Sequence, residues 1–466
     1  MKNKNNNIDL ILLKLPYTFL QMPNGMGYVH NTLKKCGISF ITRDLNIQFH
    51  NIIMNKNLYG AEFNRILSEY LKNISDEIVK IKPKIIAISV NEYLPYSINI
   101  IRNFILNLKN RLSKTIFIGG GYTCFTDKVA KLISDIFDHL VIRECENSLA
   151  FLIENIFNGK KIKDIPGVLS QNDSKNRRWK YAPLLKDLDS IDFPRYEWTD
   201  IEIYKDIAPA VITPNRGCPW ARCNFCWEIL KFRGRCAESL ADEVEYLNQK
   251  GFNDFEFSCS DFNGDPKVMT EFCKLIIKRK IKVNFEGQMR IDKRNDRETF
   301  RFFEKAGFNY IRFGVDGWSD KAISLLNKGY DMKTVEKNLK YCSETKITTA
   351  VNLLTGLPGE TEKDVDDYIK NINKLSRYIR ELHYACFIDL QNGSDYYDNP
   401  EKYNIAFIGN RDRIYKENNI NIPPELWYIK EPYVDHGIAR KRLKKIVNEF
   451  RKLSIPESDF NKRLNK

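Results

Sequence analysis

Short uninterrupted apolar runs that alternate with helix-period stretches, in two separate series, narrow the fold of this chain more than any other feature. The first series holds IDLILLKL, ISFITRDLNI, KPKIIAISVN, KTIFIGGG and HLVIREC, with helical patterns such as NIIRNFILNLKNRL between them. A strand that is apolar at nearly every position is buried on both faces, and helices returning the chain between parallel strands supply that cover. The reading is an α/β chain whose first part, residue 8 to about 155, is a five-stranded doubly wound, Rossmann-like domain. Such sheets bind ligands beyond the carboxyl ends of their strands. The candidate edge is therefore Pro23 to Gly27, Ser89 to Glu92, Gly119 to Thr123 and Glu144 to Glu146. Gly119, Gly120 and Gly121 let backbone approach a flat or phosphate-bearing ligand. No G-x-G-x-x-G follows the first strand, which argues against a nicotinamide nucleotide.

Residues 156–204 read as a linker with a short hairpin and a charged run, after which APAVITP opens the second series. Six strand–helix units from about 205 to 400 predict a partial (β/α)6 barrel, followed by a small, mostly helical region over 401–466. No run of 18 apolar residues is present, so no membrane-spanning helix is expected. The start, MKNKNNNIDLILLKLPYTF, lacks a small-residue cleavage site and reads as a strand rather than a signal peptide. The net charge of +14 is spread as lysine along the chain, so no stable nucleic-acid partner is expected. Eleven cysteines without an export signal fit a reducing cytoplasm rather than a disulfide scaffold.

Directly after APAVITP comes RGCPWARCNFC, which places Cys218, Cys223 and Cys226 in one loop before the helical stretch ESLADEVEYLNQK. A structural zinc site takes four ligands, and the best completing candidate, Cys236, lies ten residues beyond Cys226 in a charged helical setting. Three thiolates alone suit a [4Fe–4S] cluster whose fourth iron stays open for a substrate or cofactor. A loop at the carboxyl end of a barrel strand is also where barrel chemistry is built.

With GVDGW at 314–318 and TGLPGET at 355–361, this loop resembles the cobalamin-binding radical S-adenosylmethionine enzymes, and the likeness runs over the whole chain. The cysteine spacing departs by one residue from that family's C-x3-C-x2-C. The resemblance implies that Cys218, Cys223 and Cys226 hold the cluster, with Phe225 beside the last ligand. It carries Ser260 and Asp261 over to the amino group of S-adenosylmethionine, and Glu286 and Arg290 to the next strand's ligand side. Gly314 and Asp316 fall in the family's G-V-E-S-G stretch, with Asp316 for Glu and Gly317 for Ser, and backbone from Val351 to Leu353 is expected along the adenine. Glu360 and Thr361 are read as caps of the helix that follows.

For the first domain the resemblance implies cobalamin, as methylcobalamin. D-x-H-x-x-G is missing, so no imidazole is expected below the cobalt, and His30 and His50 are read as structural or exposed. Leu20, Gln21, Met22, Pro23 and Asn24 would face the lower side of the corrin, with Ser89, Asn91, Glu92, Gly119, Gly120, Gly121 and Glu144 completing the site. The implied activity is C-methylation of a peptide or small-molecule substrate through reductive cleavage of S-adenosylmethionine. A one-electron donor such as flavodoxin or ferredoxin would serve a monomeric enzyme. Cyclisation or ring contraction without net methylation stays open, as does tRNA methylthiolation. The region 401–466, with Trp427, Tyr428, Tyr433 and His436, is read as a cap.

Overall fold

The computed structural model describes residues 8–16, 21–53, 60–90, 98–121, 124, 130, 133–162, 164–170, 180–228, 230–417 and 422–464. The chain divides into two compact units, Met1–Ala208 and Pro209–Lys466.

The first unit is built on β1 (Leu10–Lys14), β2 (Phe40–Asp44), β3 (Ile85–Ser89), β4 (Ile116–Gly120), β5 (His139–Val141) and β6 (Val168–Ser170), in the order β2-β1-β3-β4-β5-β6. The first five are parallel and β6 is antiparallel to β5. Alternate residues of each strand serve opposite cores. Ile11, Leu13, Ile86, Ile88 and Phe117 pack with the helices Gly60–Ile81 and Ile98–Arg111. Leu10, Leu12, Ile85, Ala87 and Ile118 pack with the helices Asn24–Lys35 and Glu146–Phe157. This two-sided burial explains why the runs are apolar throughout instead of alternating. The chain steps from β1 outward to β2 and then back across to β3, so the switch point lies between β1 and β3.

The five expected strands are joined by a sixth, which comes from the stretch read as linker. That stretch reads as holding a short hairpin, and what three residues do not display is that β6 joins the sheet, antiparallel to β5. The rest of that stretch is fastened to the first unit. Asn31 Nδ2 donates to the Phe193 carbonyl at 2.8 Å, Trp198 stacks on His30 at 5.5 Å, and Tyr204 donates its hydroxyl to the buried Asp44 at 2.5 Å. Asp44 also accepts from the backbone of Asn46 and Ile47, which starts the helix Leu45–Ile53 directly after β2.

The second unit carries β7 (Ala210–Ile212), β8 (Asn215–Arg216), β9 (Arg233–Gly234), β10 (Asp254–Phe257), β11 (Asn284–Met289), β12 (Phe308–Asp316), β13 (Thr348–Thr355) and β14 (Glu381–Phe387). Six of them form one parallel sheet in plain sequence order, β7-β10-β11-β12-β13-β14, which is the winding of a barrel that has not closed. One side of the sheet is aromatic: Phe255, Phe257, Phe285 and Phe308 lie within 5.6 Å of their ring neighbours under the helices. The other side carries Glu256, Glu286, Gln288, Tyr310 and Arg312, all half-buried.

The last region is helical around a small hairpin, β15 (Ile405–Phe407) against β16 (Trp427–Ile429). Its long helix, His436–Lys452, packs against the helix Glu362–Leu375 and against β14, the place a sixth barrel helix would take. Arg442 anchors it. Its guanidinium donates to the Glu360 carboxylate at 3.2 Å, to the Glu360 carbonyl at 3.1 Å and to Glu362 at 2.7 Å. Glu360 is thus not the helix cap expected of it. Thr361 and Asp364 form the capping box, and Glu360 is fully buried, accepting also from Thr355 Oγ1 and the Gly356 amide. Removing one partner of a buried pair strands the other charge, so Arg442→Met is expected to cost about 3–5 kcal/mol. A urea midpoint lowered to that extent, with Lys445→Met on the same helix near neutral as the surface control, is the measurement that checks it.

Candidate cluster and cofactor site

The cysteine loop leaves the barrel after β7 and returns before the helix Ala237–Gln249. β8 and β9 pair antiparallel at its base, so residues 217–232 form a closed excursion. Gly217 makes the crossing possible. It holds φ +80°, and a Cβ there would lie 2.6 Å from the carbonyl oxygens of Leu230 and Lys231. The tip is pinned to one short segment of the second unit. Asn224 donates through its backbone to the Leu326 carbonyl (3.1 Å) and through Nδ2 to that of Leu325 (2.9 Å). Trp220 Nε1 donates to the Asn327 carbonyl at 2.6 Å, and Asn327 Nδ2 returns to the Arg222 carbonyl at 2.7 Å.

Under this loop lies a buried ion pair. Lys328, 6% exposed, meets Asp316, 8% exposed, at the end of β12. Asp316 holds φ +58°, a left-handed conformation that an aspartate adopts only when its surroundings fix it. Burial is the largest influence and works against the charge of Lys328, but Asp316, Tyr330 and Cys223 together outweigh it and the pKa is raised. The ammonium stands 5.6 Å from the ring of Phe225, and Tyr330 donates its hydroxyl to the carbonyls of Gly314 (2.9 Å) and Val315 (2.8 Å). Arg290 hydrogen-bonds the Lys328 carbonyl and lies 4.7 Å over Trp220.

Burial pushes Cys223 and Cys226 up, Cys226 to about 12; Cys218 raises Cys223 further, Cys223 and Cys218 raise Cys226, and Lys328 pulls both down. Cys236 is elsewhere: it caps the helix Ala237–Gln249, its sulfur accepting from the Ser239 amide. Among the described residues no group of three or more His, Cys, Asp or Glu side chains is arranged for a single metal ion. Three cysteines on one loop fit a cluster, whose thiolates bind separate irons, better than a single ion.

The other expected residues fall as follows. Ser260 lies on the loop after β10, its hydroxyl 3.4 Å from Glu228 Oε2. Asp261, 2% exposed, accepts from the Asn263 and Arg290 amides, both at 3.2 Å, and so ties the ends of β10 and β11 together. Glu286 sits deeper in the barrel than Arg290, paired at 3.5 Å with Arg312, which also holds Glu256 at 2.9 Å. Val351 and Leu353 have fully buried side chains, which leaves backbone as what β13 can offer a ligand there. Lys328, Tyr330 and Trp220 were not found from sequence. NKGY reads as a solvated helix-ending turn, and only the fold turns its lysine inward.

In the first unit the strand ends bring together Ser89, Gly119, Gly120 and Gly121. A Cβ at Gly120 would meet only the Val141 carbonyl, at 3.7 Å, so packing among the described residues leaves room beside the backbone there. Gly121, at φ +98°, is needed for the turn itself. Met22 and Asn24 are buried and Gln21 is exposed, with the Gln21 carbonyl accepting from Lys14 Nζ at 3.0 Å. Pro23 precedes the first helix, and Glu144 accepts from the Leu185 amide at 3.1 Å. Leu20, Asn91 and Glu92 lie outside the described residues. His30 is structural, its pKa lowered to about 4 chiefly by burial, with Nδ1 2.9 Å from Thr42 Oγ1. These bare and polar strand ends fit a corrin.

Residues 212–372 match the Radical SAM superfamily. An uncharacterized methyltransferase of Pyrococcus horikoshii is 23% identical over 322 residues, 68% of each chain. The structure is similar to that of the radical S-adenosylmethionine methyltransferase TsrM from Kitasatospora setae with cobalamin and a [4Fe–4S] cluster bound. The TM-score is 0.69 at 18% identity, covering 87% of this chain and 78% of that one. It is also similar to the cobalamin-dependent S-adenosylmethionine radical enzyme OxsB, with a TM-score of 0.65 at 15% identity over 97% of this chain and 62% of that one. At these identities the structural likeness is one of fold. No described helix is long and apolar enough to cross a membrane.

Burial raises the Asp261 carboxyl to about 6, against the pull of the Arg290 amide. A carboxylate raised on folding contributes stability below its unfolded pKa and loses it as pH rises through the folded one. Stability is therefore expected to fall from about pH 4 to pH 6 on this account, and Asp261→Asn to flatten that part of the curve in denaturant titrations across pH.

Proposed function

We propose that this chain, a radical S-adenosylmethionine enzyme with the fold of the cobalamin-dependent members, is a C-methyltransferase acting on a carbon of a small-molecule or peptide substrate. The observation that carries the reading is the cysteine loop itself: Cys218, Cys223 and Cys226 in one excursion at the carboxyl edge of an open barrel, pinned to Leu325, Leu326 and Asn327 beside the Lys328–Asp316 pair. When bound, the reduced [4Fe–4S] cluster, S-adenosylmethionine and methylcobalamin supply radical formation and the methyl group.

The protein's own part is binding, orientation and exclusion of water. Cys218, Cys223 and Cys226 would hold the cluster. Lys328 and Arg290 are the cations next to their loop, suited to the carboxylate of S-adenosylmethionine. Because Asp316 keeps Lys328 charged in a dry setting, that attraction is little screened. The backbone of Val351 to Leu353 offers an edge for adenine. In the first unit, Gly120 leaves room beside the backbone for the corrin, and the region Gln21 to Asn24 offers no imidazole to cobalt. A one-electron donor of the flavodoxin or ferredoxin type would reduce the cluster.

Replacing Cys218, Cys223 and Cys226 together by Ala is expected to abolish cluster absorbance in anaerobically reconstituted protein. Iron retained at the wild-type level contradicts the ligand assignment. With S-adenosylmethionine labelled in its methyl group, the label is expected in the product, with both 5′-deoxyadenosine and S-adenosylhomocysteine formed. Substrate turnover that releases 5′-deoxyadenosine but leaves the product unlabelled would replace methyl transfer by cyclisation or rearrangement.

A further inference from the structure

We infer that Glu228, on the cysteine loop, is the residue that accepts the α-amino group of S-adenosylmethionine, the part that resemblance alone gives to Asp261. The inference rests on the cofactor reading above. The loop after β10 reads Ser258-Cys259-Ser260-Asp261, and its single carboxylate is buried and engaged by two backbone amides, those of Asn263 and Arg290. Asp261 therefore fastens two strand ends to each other.

Glu228 stands two residues beyond the last cysteine and is half-buried. Its backbone amide donates to Cys226 Sγ at 3.4 Å, and its Oε1 accepts from the Leu230 amide at 3.2 Å. A bond from a turn of its own loop helps fix the direction of that carboxylate. Its other oxygen, Oε2, lies 3.4 Å from the Ser260 hydroxyl. Ser260 donates its hydroxyl to that oxygen, so a carboxylate on the cysteine loop and a hydroxyl oxygen on the adjoining strand end stand side by side. An amine bound at an iron without a cysteine must lie beside this same loop. It carries N–H donors and a share of positive charge, and a carboxylate with a neighbouring hydroxyl is the acceptor set that satisfies it. Lys328 and Arg290, the cations, stand at the opposite chemical end of the same ligand, next to Cys223. The site is then polarised along one amino acid moiety: cations for its carboxylate, Glu228 for its amine.

The test uses anaerobically reconstituted holoprotein and reads binding rather than turnover. S-adenosylmethionine affinity is measured for wild type, Glu228→Ala and Glu228→Gln, alongside an S-adenosylmethionine analogue in which the α-amino group is replaced by a keto oxygen. Losing a charge-assisted hydrogen bond is expected to raise the Kd for S-adenosylmethionine about tenfold or more in Glu228→Ala, with iron content unchanged. The keto analogue is expected to bind wild type and variant equally. An unchanged Kd for S-adenosylmethionine, or an equal loss for both ligands, overturns the assignment. Should Glu228→Ala lose iron, Glu228→Gln, which keeps an acceptor for the Leu230 amide, decides by the same two comparisons. The electron paramagnetic resonance signal of the reduced wild-type cluster is the separate control. If S-adenosylmethionine leaves it unaltered, the cofactor reading fails first and takes this assignment with it.

Discussion

The second unit's site depends on one buried charge pair. Lys328 and Asp316 are both nearly inaccessible, and neither is tolerable there without the other. The lysine lies in the turn that grips the cysteine loop through Asn224, Trp220 and Arg222, and the aspartate closes β12 in a left-handed conformation. The pair thereby fixes a strand end, a turn and a loop in one place. A net stabilising role for it is not required, since a hydrophobic pair of the same volume could pack as well. What it supplies is a charge that acts on Cys223 and Cys226, held where water does little to screen it.

The two units use the same strand–helix alternation and reach different architectures because the winding differs. In the first, the chain reverses direction after β2, and the reversal opens a crevice at the ends of β1 and β3, bordered by Lys14 and Ser89. In the second, each strand is laid beside its predecessor without reversal, so the sheet curls and its ligand side becomes an interior. The side chains follow. The first sheet is apolar on both faces, while the second keeps Glu256, Glu286, Tyr310 and Arg312 on its inner face, Arg312 paired with the two glutamates and Tyr310 with Glu381 and His383.

Much of this was legible in the sequence because strands and helices declare themselves by period, and the cysteine loop by spacing. β1 to β5 and the six barrel strands lie where the apolar runs are. What stayed hidden had no local signature. β6 is three residues in a polar stretch, and its place in the sheet comes from the open edge of β5. Lys328 looks like any surface lysine before a glycine. Glu360 looks like a helix cap until Arg442, distant in sequence, arrives beside it. Asp261 is acidic where an acidic ligand residue was expected, yet its partners are amides of its own loop and of the next strand, a matter of backbone direction that composition does not record.

The last strand of the open barrel carries a further consequence. An unclosed sheet has two edges, and β14 is one of them. The Leu382 amide donates to the Pro456 carbonyl at 2.9 Å, the Ser458 amide donates back to Leu382 at 3.0 Å, and Asn461 Oδ1 accepts from the Ala385 amide at 2.8 Å. The chain's final segment thus occupies hydrogen-bonding groups that would otherwise be free to recruit a strand from another molecule. Its residues matter for colloidal behaviour: trimming the chain before Pro456 would bare that border of β14 and favour self-association.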